Sequence, residues 1–169
     1  MTLLALSLGS NIEREKHLQF AIEGLTELLG ELNVSSVYQT RAVGFDGPDF
    51  YNLVVLAETD RPLEGLISEI RLIETAAGRV RGEKHFASRN LDIDVLLYGD
   101  ANLRAEGRDI PRREIDHAAY VLKPLADVLP DGNHPISGLR FAAMWAAYEN
   151  DEQVPVKVEC LLSPRSGAA

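Results

Sequence analysis

Residues 2–8 are predominantly apolar and end at Gly9-Ser10-Asn11, after which Leu18, Phe20, Ala21, Leu25, Leu28 and Leu29 recur at near-helical spacing. The pattern predicts a strand, a turn and a helix that stops near Gly30. Residues 34–40 read as a second strand, and 43–48 carry Gly44, Gly47 and Pro48 as loop signals. Residues 53–59 are almost continuously apolar, which predicts a third strand covered on both faces and therefore central. Pro62 suits the first turn of a second helix with Leu66, Ile70, Ile73 and Ala77 on one face, closed by Gly78 in the C′ manner.

A polar, basic stretch at 79–90 precedes a fourth strand at 91–98, closed by Gly99-Asp100. The predicted order is βαββαβ, an α+β fold in which two helices cross one side of a mainly antiparallel sheet, the split βαβ or ferredoxin-like arrangement. Beyond Asp100 the chain is punctuated by Pro111, Pro124, Pro130 and Pro135, with short helical pieces around 115–125 and an amphipathic helix at 139–148. This is read as a C-terminal helical and irregular extension. Residues 1–160 are expected to form one domain, with 161–169 as a flexible tail.

Composition narrows the function classes. The 169 residues hold 17 bases against 26 acids, a net charge of -9, which argues against broad binding to nucleic acid or to an anionic membrane surface. An anion site must therefore be local. A lone Cys160 and the lack of a signal-like or membrane-spanning run predict a cytoplasmic protein in a reducing compartment. The expected partners are small molecules, and the expected state is a monomer.

The fourth strand carries the strongest chemical signal. Side chains alternate across a strand, so Leu91, Ile93, Val95 and Leu97 are expected on one face and Asp92 and Asp94 together on the other, about 6 to 7 Å apart. Like charges this close raise each other's pKa unless a cation lies beside them, and hard oxygen ligands suit Mg²⁺. Taken alone, the two acids are more simply read as a solvated outer face. Arg71, Arg79, Arg81, Lys84 and Arg89 gather just before them in an otherwise acidic chain. Bases beside a metal-binding acid pair are what a polyphosphate requires, so a magnesium nucleotide is the leading inference over a merely solvated loop. No Walker A or Rossmann glycine signature is present, which leaves phosphate binding to side chains. Phe50, Tyr51, Phe86 and Tyr120 could stack on a flat heterocycle and Asn52 could bond its edge, although any one ring could simply be core. Among the histidines, His85 stands out for lying inside the basic stretch.

These residues resemble a known family. Gly9-Ser10-Asn11, Asp49-Phe50-Tyr51-Asn52, the run from Ile73-Glu74 to Gly78-Arg79-Val80-Arg81, and Arg89 followed by Leu91-Asp92-Ile93-Asp94-Val95-Leu96-Leu97-Tyr98-Gly99 are similar to 6-hydroxymethyl-7,8-dihydropterin pyrophosphokinases of folate biosynthesis. Tyr120-Val121-Leu122-Lys123-Pro124-Leu125 extends the likeness. The resemblance implies transfer of the terminal pyrophosphoryl unit of ATP to the pterin's hydroxymethyl group, with release of AMP. It also implies that Asp92 and Asp94 hold two Mg²⁺ ions and that Glu74, Arg79, Arg81, Lys84, Arg89 and Arg112 serve ATP, with 79–87 closing as a lid. Arg79 and Arg89 join the two aspartates as catalytic candidates, and the pterin would meet Thr40, Val43, Phe50, Asn52 and Tyr120.

The sequence departs from the family at several points. Phe86-Ala87-Ser88 precedes Arg89 where an aromatic Trp or Tyr and a Gly-Pro pair are usual, and Arg71 stands where a Gln is common. Arg112 follows Pro111 where a Pro-His pair is usual, and Ala118 replaces an expected arginine, whose phosphate contact is either lost or supplied by Arg112 or Arg113. The alternatives are a divergent paralogue that senses pterin and nucleotide or acts on another pterin-like substrate, and, disfavoured by charge, an RNA-binding module.

Overall fold

A computed structural model of the chain describes residues 1–41, 47–78, 91–150, 154–160 and 162. Its core is a six-stranded sheet in the order β5-β1-β4-β3-β6, with β2 pairing beside β3 on β4. The strands are β1 (Thr2–Ser10), β2 (Asn33–Val34), β3 (Val37–Thr40), β4 (Phe50–Thr59), β5 (Asp92–Tyr98) and β6 (Val156–Val158). All of these pairings are antiparallel. The helices are α1 (Arg14–Leu29), α2 (Leu63–Ala76), α3 (Glu114–His117), α4 (Ala119–Val128) and α5 (Phe141–Ala146).

Each face of the sheet carries its own core, which explains why β1 and β4 are apolar at nearly every position. Leu4, Leu6 and Leu8 of β1 with Leu53 and Val55 of β4 pack on Leu18, Ile22 and Leu25 of α1 and on Leu66 and Ile70 of α2. The other face, with Ala5, Val54 and Leu96, is covered by Val121, Leu122 and Leu125 of α4 and by Phe141 of α5. Burying both faces removes more apolar surface from water than a one-sided sheet of the same size. The segment expected as a mere extension therefore supplies one wall of the second core. Gly78 ends α2 as the sequence predicts, at φ +92°, with its N–H donating to Thr75 O.

Three expectations are corrected. The second strand is broken between β2 and β3, because the Ser35 hydroxyl accepts the Val54 N–H at 2.9 Å and donates to Ser36 O at 2.8 Å, diverting the ladder through a side chain. Leu97 does not share a face with Leu91, Ile93 and Val95. A register shift opposite Ala5 and Leu6 pairs Leu6 with Val95 and Ala5 with Leu97, so β5 carries an extra residue there and both Leu96 and Leu97 turn to the α4 side. The third correction is β6, which adds three residues to the sheet at the edge of β3 where no strand was expected. No helix among the described residues is long and apolar enough to cross a membrane.

Candidate active site

Strand register places the candidate residues in rows. Asp92 of β5 pairs with Gly9 of β1, which pairs with Asn52 of β4, which pairs with Tyr38 of β3. Asp94 pairs with Ser7. Paired residues share a face, so Asp92, Asp94, Asn52 and, two residues along their strands, Phe50 and Thr40 all lie on the α4 side of the sheet. The apolar alternates Leu91 and Ile93 fix β5 in the opposite core. The two aspartates thus stand on a rigid support.

Thr40 and Asn52 meet directly, Asn52 Nδ2 donating to Thr40 Oγ1 at 2.8 Å, with both side chains buried. Gly9 makes room for this amide: a Cβ there would lie 2.8 Å from Asn52 Oδ1 and 3.9 Å from a Phe50 ring carbon. Around them the β1–α1 turn is tied to the start of β4. Asn11 Nδ2 donates to Pro48 O at 3.3 Å, Arg14 donates to Asp49 O at 3.0 Å, and its guanidinium lies 3.9 Å from the centre of the Tyr51 ring.

On the far side of Gly9 a cleft of about 520 Å³ runs along the outer edge of β5. Arg71 and Glu74 of α2, Asp92 and Asp94 of β5, and Arg112 line it, with Ile67 and Ile70 among its apolar walls. Glu74 is only 6% exposed, and its carboxylate accepts the Ile93 N–H at 3.0 Å, a donor that faces away from the sheet on this terminal strand. Its observed contact is therefore to the backbone between the two aspartates.

Arg112 follows the cis Ile110-Pro111 bond and is held by its own N–H to Leu96 O at 3.0 Å. Its guanidinium forks onto Glu114, Nε and Nη2 both donating, the latter at 3.3 Å, and Nη2 also reaches to 3.5 Å from Asp94 Oδ2. Burial pushes the Asp94 carboxyl up to about 7, reinforced by Asp92 and opposed by Arg112, with Glu114 and Glu74 adding smaller upward pushes. Burial likewise pushes the Tyr120 hydroxyl up to about 12, with Glu114 and Asp94 the leading charges acting on it. Tyr120 therefore sits in the field of the same acids, on α4. Glu114 was not singled out by sequence reading; its position two residues after Arg112 was the available signal.

The described structure thus brings Asp92, Asp94, Glu74 and Arg112 around one cleft, and Thr40, Phe50 and Asn52 onto the adjoining sheet face. Val43, Arg79, Arg81, Lys84 and Arg89, with the expected lid at 79–87, lie outside the described residues, as does most of the expected tail. Among the described residues no group of three or more His, Cys, Asp or Glu is placed to hold a metal. Two carboxylates from one strand, in a cleft where burial already penalises the charge of Asp94, form a donor set that fits Mg²⁺. That ion retains waters and completes its shell with substrate phosphates.

Comparison with known proteins places these features in a family. The model of 7,8-dihydro-6-hydroxymethylpterin-pyrophosphokinase (HPPK) matches residues 5–130. The chain is 33% identical over 138 residues to the 2-amino-4-hydroxy-6-hydroxymethyldihydropteridine pyrophosphokinase of Aquifex aeolicus, covering 80% of this chain and 86% of that one. The Methylorubrum extorquens protein of the same name is 38% identical over 135 residues, covering 78% and 85%. The "Folic acid synthesis protein fol1" of Pneumocystis carinii is 34% identical over 89% of this chain, which spans only 21% of that protein. In fold, the Plasmodium falciparum HPPK-DHPS crystal structure aligns with a TM-score of 0.66 at 16% identity, over 86% of this chain and 44% of that one. The chain belongs to the 7,8-dihydro-6-hydroxymethylpterin-pyrophosphokinase family.

Proposed function

We propose that the protein transfers the pyrophosphoryl unit of ATP to the hydroxymethyl group of 6-hydroxymethyl-7,8-dihydropterin in folate synthesis, releasing AMP. One observation carries the reading: a buried Asn52–Thr40 pair and the acid pair Asp92/Asp94 share one sheet face, separated only by the strand that bears Gly9. Neighbouring strands lie about 4.8 Å apart, so two strand spacings, roughly 10 Å, separate the heterocycle site from the acids. A hydroxymethyl arm projecting from a bound pterin would point across Gly9 toward the phosphates. The family match does not favour the binding-only alternative.

The reaction forms a bond from the hydroxymethyl oxygen to the β-phosphorus and breaks the bond from that phosphorus to the oxygen kept by AMP. The hydroxyl proton is released. Little covalent chemistry is left for the protein, whose work is positioning and charge stabilisation. Asn52 offers a donor and an acceptor to the heterocycle edge, and Phe50 and Tyr120 offer rings to stack on its faces. Asp92 and Asp94 would hold Mg²⁺, with two ions expected, which neutralises the triphosphate and orients it. Arg112 would face the phosphates. Glu74, from its bond to Ile93 N, would act by fixing the strand between the aspartates. Arg79, Arg81, Lys84 and Arg89 belong to the proposal on the sequence pattern, as phosphate contacts on a closing segment that excludes water. Val43 belongs to it on the same basis, as a backbone contact to the pterin.

The strand order supports a ferredoxin-like core of residues 1–160 with the C-terminal helices packed on the substrate face. A cytoplasmic monomer is the corresponding reading of cell location and assembly. The decisive assay follows AMP by chromatography with ATP, Mg²⁺ and hydroxymethyldihydropterin. AMP should appear only when all three are present; AMP formed without pterin, or none at saturating Mg²⁺, would sink the assignment.

A further inference from the structure

We propose that Arg112 is a resident counter-cation which Asp94 exchanges for the incoming metal-nucleotide, so that one guanidinium occupies the acid before binding and the polyphosphate after it. The inference rests on the reading of Asp94 as a metal-facing carboxylate and extends it to how the empty enzyme keeps that acid in place.

Three observations carry it. First, the two partners of Arg112 are unequal. Glu114 takes both Nε and Nη2 in a forked pair, whereas Asp94 receives only Nη2, at 3.5 Å, longer than a normal hydrogen bond. The Asp94 contact is the one that can be given up while the fork holds. Second, the contact falls on an oxygen that a hard cation would need. Asp94 lines the cleft, and a divalent ion on its carboxylate would face a guanidinium a few ångströms away, a repulsion strengthened by partial burial. The two cations compete for one anion. Third, the base of the residue is anchored. The Arg112 N–H is bonded to Leu96 O on the same strand as Asp94, and Glu114 holds its side chain, so a guanidinium released from Asp94 stays at the cleft that Arg112 and Asp94 both line. There a triphosphate offers it several anionic oxygens in place of one.

The arrangement answers an electrostatic problem. Asp92 and Asp94 lie on one face of β5 with Glu74 and Glu114 nearby, and a cation already on Asp94 lets the strand form before any ligand arrives. The same cation makes the free metal a poor ligand and the metal bound to nucleotide a good one, because only the latter supplies the displaced arginine with a new partner. The empty cleft is thereby biased against metal without nucleotide.

The test is direct binding, read by Mn²⁺ electron paramagnetic resonance on the full chain, with Mn²⁺ alone and with Mn²⁺ plus α,β-methylene ATP. Arg112→Gln should bind Mn²⁺ alone about fivefold more tightly than wild type and the Mn²⁺–analogue complex about fivefold more weakly, the scale of one partly exposed ion pair. A structural role would weaken both and overturns the proposal. A charge acting at a distance without exchange would also give opposed signs, because the metal–nucleotide complex is itself anionic, but Arg112→Lys would then restore both affinities, and that result overturns the proposal too. Arg112→Lys keeps the charge but not the fork, and should restore only the weak binding of free Mn²⁺. Asp94→Asn separates the two levels of inference. If Mn²⁺–analogue binding and turnover survive that substitution, the acid-pair reading itself fails. If both are lost in Asp94→Asn but Arg112→Gln shows no opposed signs, only the exchange fails.

Discussion

The Cβ that Gly9 lacks would stand 2.8 Å from the Oδ1 of Asn52, a separation that real side chains do not tolerate. Asn52 has little freedom to move aside, because it is buried and its amide nitrogen is bonded to Thr40 Oγ1. Gly9→Ala should therefore rotate the Asn52 amide, costing about 1–3 kcal/mol by overpacking. Loss of one well-placed hydrogen bond to the pterin would raise its KM about tenfold. The KM for ATP should hold. Thermal unfolding and kinetics with each substrate varied in turn would check this, and an equal rise for both substrates would refute the assignment of Asn52 to the pterin.

Asp92→Asn and Asp94→Asn preserve shape while removing charge from the acid pair. Each should lower turnover by about 10²- to 10³-fold, the scale found when one preorganised electrostatic contact to a transition state is removed. Folding should survive, since the substitutions relieve crowding among carboxylates on one strand face. Circular dichroism melts beside single-turnover rates would make the comparison. A variant that melts early and turns over normally would reverse the assignment.

Asp94 and His134 should leave opposite marks on the pH dependence of stability in the metal-free enzyme. The Asp94 carboxyl is raised from 3.8 to about 7, chiefly by burial, so the folded state holds a proton that the unfolded state has lost. Its contribution is fully present below the ordinary carboxyl pKa and disappears as pH rises toward 7. His134 is lowered by burial, which outweighs the attraction of Asp116, whose Oδ1 lies 3.1 Å from Nε2. Its Nδ1 accepts the Ile136 and Ser137 N–H groups, at 3.1 and 3.3 Å, which also requires the neutral ring with its proton on Nε2. Stability is therefore lost at this site as pH falls through the ordinary imidazole range. Melting temperatures in chelator should show wild type losing more than Asp94→Asn between about pH 5 and about pH 7.5. A parallel pair of curves would contradict the raised carboxyl.

Tyr38 offers a control on the same sheet face. Its hydroxyl donates to Asp127 of α4, which also pairs with Lys123 at 2.8 Å. Burial holds the phenol well above its usual pKa, so it remains a donor at any working pH. Tyr38→Phe removes this tie between sheet and helix and should cost about 1 kcal/mol, because Lys123 still partners the carboxylate. Turnover at a temperature where both proteins are folded should be unchanged. A large fall in kcat would mean that α4 placement matters more to the substrate face than the contacts suggest.

The sequence displayed the parts of the fold whose signal is local. The helical spacing of Leu18, Ala21, Ile22 and Leu25, the apolar run of β4, and the alternation that joins Asp92 with Asp94 all appear as expected, because burial imposes its period directly on the residues. What was hidden depends on partners distant in the chain. The bulge that turns Leu97 to the α4 side arises from register against Ala5 and Leu6, the break at Ser35 from a hydroxyl bonded to Val54, and β6 from pairing across to Val37–Gln39 over a span too short to carry a period. In the site, the acids were legible from one strand, but the grip of Arg112 on Asp94 and Glu114 was not. It depends on the long-range bond from Arg112 N–H to Leu96 O, which lays that segment against β5.

Glu74 shows how a residue can serve the site through the backbone. Its carboxylate is buried and accepts the Ile93 N–H, whose peptide lies between Asp92 and Asp94. Among the described residues this donor finds no neighbouring strand beyond β5, and leaving it buried without an acceptor would cost about 1–3 kcal/mol. Glu74→Ala should show that cost in the melt and should also lower kcat, because the strand segment that sets the spacing of the two acids loses its outer anchor. Glu74→Gln keeps an acceptor oxygen at the same reach and removes one negative charge from the surroundings of Asp94. It should recover most of the stability and lower the Asp94 carboxyl relative to wild type, moving the acid limb of the pH–rate profile downward. A direct ATP ligand would behave differently: Glu74→Gln would then raise the KM for ATP as strongly as Glu74→Ala does. Varying ATP at saturating pterin across the two variants decides whether Glu74 holds the nucleotide or the strand.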